Sequence, residues 1–255
     1  MHKEGTRKID LIAPAVMFAL FVISWESIDF VLEIREVILP NPHEILSSMV
    51  GNFPLLLEDT SITLVESVLG FLIGSLTGIF LASLFFFSSL MHRSLYPYAI
   101  ALKATPLYAI APILVIWFGS DMSSKIVMSA LVSFFPVLVN TYKGFMSVSP
   151  EGLDLFRSFG ASSWQVFLKL HFPNSLPYIF PSLKIASTLA VVGATIAEFT
   201  GSSRGIGHLI VNSSYYLDTS LMFAAITMIS LGGILFYYAI EYFENKIVVW
   251  QKNEY

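Results

Sequence analysis

Two stretches of this chain, Ser67–Met91 and Thr219–Ile240, contain no charged residue. Each is longer than the roughly 20 residues that carry a helix across a hydrocarbon layer. Such runs need either a large protein core or lipid around them, and composition decides between the two. Of the 255 residues, 55% are hydrophobic and 13% charged, whereas soluble domains carry about 25% charged residues. One core in a domain of this size cannot enclose that much apolar surface. Leu11–Trp25, Ala104–Ser120 and Ile126–Tyr142 are somewhat shorter apolar runs, and Ile185–Ala197 is the shortest, ended by Glu198. The sequence therefore predicts an all-α membrane protein, a single domain over 1–255 with six spans between about residues 9 and 243.

The first run follows a basic start (Lys3, Arg7, Lys8). Trp25-Glu26 follows the run instead of a small-x-small cleavage site, so it is expected to be a retained span. Six spans put both termini on one side. If that side is the cytoplasm, ten Lys and Arg lie inside and three (Arg35, Lys125, Arg204) outside, with Lys103 inside a span. This asymmetry predicts cytoplasmic termini in a multi-pass protein of the cell membrane. It also makes 143–183, between spans 4 and 5, a cytoplasmic loop. The first outer segment is acidic: Glu26, Asp29, Glu33, Glu36, Glu44, Glu58 and Asp59. It is either a solvated loop or a docking surface for a soluble partner.

Within the spans, Gly70, Gly74 and Gly78 recur every four residues on one helix face, where another helix can approach closely. Pro106 and Pro112 should kink span 3 and make it a candidate wall of a pathway. In the outer segment, Asn41-Pro42 predicts a cap and a first helical residue for a short helix over Ile45–Val50.

The polar stretch 149–173 is the most structured interruption. Ser149-Pro150-Glu151 starts a helix and Gly160 closes it. Ser162 with Gln165 forms a capping box for a second helix. Trp164, Phe167, Leu168 and His171 then share one helical stripe. Pro173, Pro177 and Pro181 are expected to prevent a long helix. An interfacial helix lying on lipid would not need so rigid a capped turn.

This stretch resembles the cytoplasmic coupling loop of ABC importer permeases. That loop reads Glu-Ala-Ala, three residues, Gly, nine residues, Ile, one residue, Leu-Pro. Gly160, Leu170, Phe172 and Pro173 fall on it, Asp154 stands for the Glu, and Leu155-Phe156 replace the two alanines. The resemblance extends over roughly 40–245. Pro106, Pro112 and Ile116-Trp117-Phe118-Gly119 are similar to the third span. Ala197-Glu198-Phe199, Gly201 and Arg204-Gly205-Ile206-Gly207 are similar to the segment after the fifth. The branch resembled holds sulfonate, taurine, nitrate, thiamine-precursor and riboflavin permeases. Gly201–Gly207 and Leu217-Asp218-Thr219 are nearest the thiamine-pyrimidine and riboflavin members.

The resemblance implies a type I ABC importer permease fold and a subunit that is not itself an enzyme. It implies a second permease copy, cytoplasmic ATPase subunits that bind ATP and Mg, and an extracytoplasmic solute-binding protein, with no nucleic acid. It carries the coupling role to Asp154, Leu155, Phe156, Gly160, Ala161, Ser162, Trp164, Gln165, Phe167, Leu170 and Pro173. A pair at Trp164 and Phe167 is the expected aromatic anchor for the ATPase.

The residues themselves agree with a chain that does no covalent chemistry. No Lys is followed by Ser or Thr, so no phosphate-cradling Gly-x-x-x-x-Gly-Lys-Ser/Thr occurs. There is no cysteine, and His2, His43, His92, His171 and His208 have no metal spacing. Glu66, Lys103 and Glu198 fall in or at the edge of spans, where ionisable groups are functional candidates. Glu66, Glu198, Pro106 and Pro112 are thus the candidate pathway residues. A proton-coupled secondary carrier using Glu66 and Glu198 is the alternative function.

Overall fold

The computed structural model describes residues 13–27 and 35–250. Lys3, Arg7, Lys8, Asp29, Glu33 and Lys252 lie outside them. Every regular element among the described residues is a helix. In order they are α1 (Ala13–Ser27), α2 (Pro42–Gly51), α3 (Phe53–Phe87), α4 (Ser89–Ala104), α5 (Leu107–Phe118), α6 (Met122–Met146), α7 (Pro150–Ser158), α8 (Ser163–Val166), α9 (Phe172–Gly201), α10 (Ile206–Tyr215) and α11 (Thr219–Ile247). A π-helical turn, Phe167–His171, joins α8 to α9 without a break.

Among the described residues, four helices are long and apolar enough to cross a membrane: α3, α6, α11 and the continuous helix Ser163–Gly201. The other two expected spans are shorter. The helix at the first is Ala13–Ser27. The third is broken in two, because the residue before a proline is pushed out of the helical region. Thr105 sits at φ −74°, ψ 130°, and Pro106 caps α5, which has only 12 residues.

Two further expectations are corrected. The outer segment does not run on to residue 59. α3 starts at Phe53 with Pro54 in its first turn, a position where a missing N–H costs nothing, so Glu58 and Asp59 are helical and not in a loop. Nor do Pro173, Pro177 and Pro181 prevent a long helix. Pro173 stands in the first turn of α9, and the other two lie inside it. Helices in lipid tolerate proline where neighbouring groups re-satisfy the freed carbonyls.

The chain divides into two compact units, 1–57 with 209–228, and 58–208 with 229–255. In the first, Trp25 meets Phe223 edge to face, with ring centroids 5.9 Å apart. Thr219 donates to the Glu36 carbonyl at 2.6 Å, and Ser220 to the Glu36 carboxylate at 3.1 Å. Asn41 caps α2, its N–H donating to Glu44 at 2.7 Å, as the Asn-Pro signal predicts.

In the second unit α6 and α9 pack backbone against backbone. Near one end, a Cβ on Gly144 would lie 3.0 Å from Ser175 Cα. Further along, one on Gly193 would lie 3.0 Å from Ser129 Cα and 3.2 Å from the Met128 carbonyl. Ser129 donates to the Ala190 carbonyl at 2.6 Å. The stripe of Gly70, Gly74 and Gly78 on α3 also lies against α6, at Ser129, Ala130, Phe134, Val137 and Leu138. Its close approach is therefore made within the chain. Lys184 on α9 meets Glu244 on α11 at 2.6 Å, so neither charge is bare in an apolar setting.

Candidate functional site

Three places in the second unit concentrate polar chemistry or open space. The first is the capped loop between α6 and α9. Ser149 accepts from the Gly152 N–H at 3.2 Å and starts α7. Gly160 turns the chain at φ 68°, a conformation that side chains with a Cβ adopt reluctantly. Ser162 and Gln165 then bond reciprocally, at 2.8 and 3.3 Å, to start α8. These are the three signals legible in the sequence, and all three form.

The aromatic stripe does not behave as expected. Phe167 is only 5% exposed. It packs against Phe86 (5.3 Å between centroids), Phe87 (4.8 Å) and Phe145 (5.2 Å). His171 is also buried, its Nδ1 2.7 Å from the Phe145 carbonyl. Trp164 is 58% exposed but lies stacked on Phe167. Leu168 faces outward. The π turn splits the stripe, since its wider i→i+5 spacing no longer keeps positions three and four apart on one face. Phe167 is therefore a plug that seats the loop on α3 and α6, and not an outward anchor.

The outward surface is different. Leu155, Phe156, Phe159, Ala161, Gln165 and Lys169 line a groove of about 270 Å³ between α7 and the start of the long helix. Phe159 beside Gly160 is 80% exposed. Asp154 and Arg157 form an exposed pair at 3.4 Å. Leu170 lies inward of α7, its methyls 3.7 and 3.8 Å from where a Gly152 Cβ would stand, and Pro173 is half-buried.

The second place is at the opposite end of α9. Glu198 is 1% exposed and Glu66 3%. Their carboxyl groups lie side by side, with the buried Lys125 within electrostatic reach. Thr63 donates to Glu198 Oε1 at 2.6 Å. Three consecutive N–H groups of the glycine turn converge on this cluster. Gly205 donates to Asp59 Oδ1 (3.0 Å), Ile206 to Thr63 Oγ1 (2.9 Å) and Gly207 to Glu198 Oε2 (2.6 Å). These are donors that the start of α10 would otherwise leave unpaired. The glycines are required because a Cβ on Gly205, which has φ 98°, would lie 2.5 Å from Glu198 Cδ, and one on Gly207 would lie 2.7 Å from Oε2.

The sequence singled out Glu66 and Glu198 but not Asp59 or Thr63. The signal was present: Asp59, Thr63 and Glu66 are spaced i, i+4, i+7, a polar stripe on one face of an otherwise apolar helix. The expected end of the outer segment at residue 59, which kept Asp59 out of span 2, concealed it.

The third place is a cavity of about 390 Å³ walled by α4, α5, α6 and α9. Leu102, Ile110, Leu131, Val132, Phe135, Pro136, Val139, Ile185 and Leu189 line it with one polar side chain, Asn140. Asn140 itself donates to the Pro136 carbonyl at 2.9 Å. Glu66, Glu198, Pro106 and Pro112 do not line this cavity, although Ile110, between the two prolines, does.

The chain matches, over residues 74–249, the family described as binding-protein-dependent transport system inner membrane component. A probable ABC transporter permease protein of Haemophilus influenzae is 33% identical, with 94% of this chain and 98% of that protein covered. The formylaminopyrimidine transport permease protein ThiX of Halalkalibacterium halodurans is 32% identical, over 97% of this chain and 99% of that one. A putative aliphatic sulfonates transport permease protein of Bacillus subtilis is 30% identical, over 95% and 87%. In fold, the chain superposes on one from the inward-facing MetNI methionine ABC transporter with a TM-score of 0.68. The identity is 15%, and 77% of this chain and 98% of that one are covered. With a family match over most of its length and relatives aligned almost end to end, this chain belongs to the inner membrane components of binding-protein-dependent transport systems, the permease subunits of ABC importers.

Proposed function

We propose that the groove of Leu155, Phe156, Phe159, Ala161, Gln165 and Lys169 receives the ATPase subunit on the cytoplasmic side. The observation that carries this is Phe159. A large aromatic left 80% exposed beside a rigid turn has the character of a binding hot spot awaiting a partner. Contact there moves α7, and Phe167 passes the movement to α3 and α6. ATP and Mg belong to the ATPase, and the permease contributes a pathway with two states. Family membership replaces the proton-coupled carrier as the function. Within this assembly we place six crossings, both termini in the cytoplasm, a second permease copy across the pathway and a solute-binding protein on the far side.

The solute assigned here is a small neutral heteroaromatic molecule of the aminopyrimidine class. None of the ten residues that line the cavity is charged, so an organic sulfonate would bring an unpaired anion into an apolar wall. A flat neutral ring finds Phe135 and leucine walls, with the Asn140 amide as its orienting partner.

The docking claim is tested by Phe159→Ser. Truncating a buried aromatic anchor costs at least about 2 kcal/mol, roughly thirtyfold in affinity. The variant should reach the membrane at normal abundance and lose the ATPase on purification. Stoichiometric retention would move the interface elsewhere.

A further inference from the structure

We propose that Glu198 is a positioning residue for the transport step, holding the glycine turn to the far end of a beam that begins at the coupling loop. The proposal rests on the loop being the ATPase contact and goes beyond it to say how the movement reaches the other side. One helix runs unbroken from Ser163 in the loop to Gly201 at the turn. Its prolines, 173, 177 and 181, all lie in its first half. The second half is proline-free and is braced on α6 by Gly193 and by the Ser129–Ala190 hydrogen bond. Displacement at the loop is thus delivered along α6 and α9 to Glu198.

At that point the sequence makes an unusual investment. One capping side chain normally satisfies the start of a helix. Here Asp59, Thr63 and Glu198, all buried, each accept from a separate N–H of Gly205–Gly207. Two of the three come from α3 and one from α9, and Thr63 bonds directly to Glu198. The clamp therefore makes α3, α9 and the start of α10 move together. Hydrogen bonds from these backbone N–H groups are short, 2.6–3.0 Å, and in a low-dielectric setting an unmade one is costly. That resists slippage between the turn and α9. Glu198 and Thr63 do not line the cavity, so their effect on transport is on transmission and not on solute contact.

The test uses the whole importer, permease with ATPase and binding protein, in proteoliposomes. Thr63→Val keeps the shape and removes the hydroxyl that joins Glu198 to the Ile206 N–H, while Thr63→Ser keeps it. Thr63→Ala serves as the second variant if Val lowers abundance, and rates are taken per assembled complex. The expected result is retained ATPase, a lowered melting temperature, hydrolysis near the wild-type rate per assembled complex, and uptake per ATP lowered at least about tenfold. The apparent KM for loaded binding protein should not move, and Thr63→Ser should restore uptake. Wild-type uptake per ATP in Thr63→Val and Thr63→Ala would overturn the proposal. So would a loss that disappears when rates are taken per assembled complex, which marks a purely structural bond. Failure of the docking reading appears elsewhere, as ATPase retention by Phe159→Ser.

Discussion

At the scale of single residues, backbone geometry decides more than side-chain chemistry. Gly160 has φ 68°, and a Cβ at this position would meet nothing within 4 Å, so the obstacle to substitution is conformation and not space. Positive φ in a residue with a β-branched side chain costs on the order of 1–3 kcal/mol. Gly160→Val should therefore reach the membrane and lower ATP-driven uptake, measured as rate per permease molecule. An unchanged rate would show that the turn's conformation does not matter to coupling. In the proposed solute cavity the corresponding residue is Asn140. Asn140→Leu removes the one polar side chain of the cavity, and an unpaired solute donor or acceptor then costs about 1–3 kcal/mol. Uptake of an aminopyrimidine should fall by roughly tenfold or more, with ATPase retention unchanged. Uptake at the wild-type rate would move the solute out of this cavity.

At the scale of elements, the caps were legible and the packing was not. Ser149, Asn41, and Ser162 with Gln165 each act within three or four residues of their own helix, so local sequence suffices. The role of Phe167 depends on Phe86, Phe87 and Phe145, remote in sequence, and on a π turn that no local signal announces. The same limit explains the prolines of α9, since whether a helix survives proline depends on what surrounds it. The correction has a measurable consequence. Phe167 fills a closed aromatic cluster, and Phe→Ala in such sites costs about 3–5 kcal/mol. Phe167→Ala should lower the thermal stability of the permease in detergent before any ATPase is added, whereas Phe159→Ser should not. Equal melting temperatures for wild type and Phe167→Ala would contradict the plug.

At the scale of the whole molecule, the long uncharged runs made the class of protein legible, because hydrocarbon thickness sets a length that no soluble core demands. The clamp of Asp59, Thr63 and Glu198 was only half legible, since it joins residues more than a hundred positions apart through backbone N–H groups. One helix, Ser163–Gly201, joins the loop groove, proposed to be cytoplasmic, to the turn at its other end, and everything proposed for coupling depends on where that groove lies. The chain contains no cysteine, so Leu155→Cys, exposed on α7 in the groove, reports on it alone. In sealed vesicles of known orientation, a membrane-impermeant maleimide should label Leu155→Cys from the cytoplasmic face only, and added ATPase subunit should protect it. Labelling from the opposite face, or labelling that the ATPase leaves unaltered, would contradict the account.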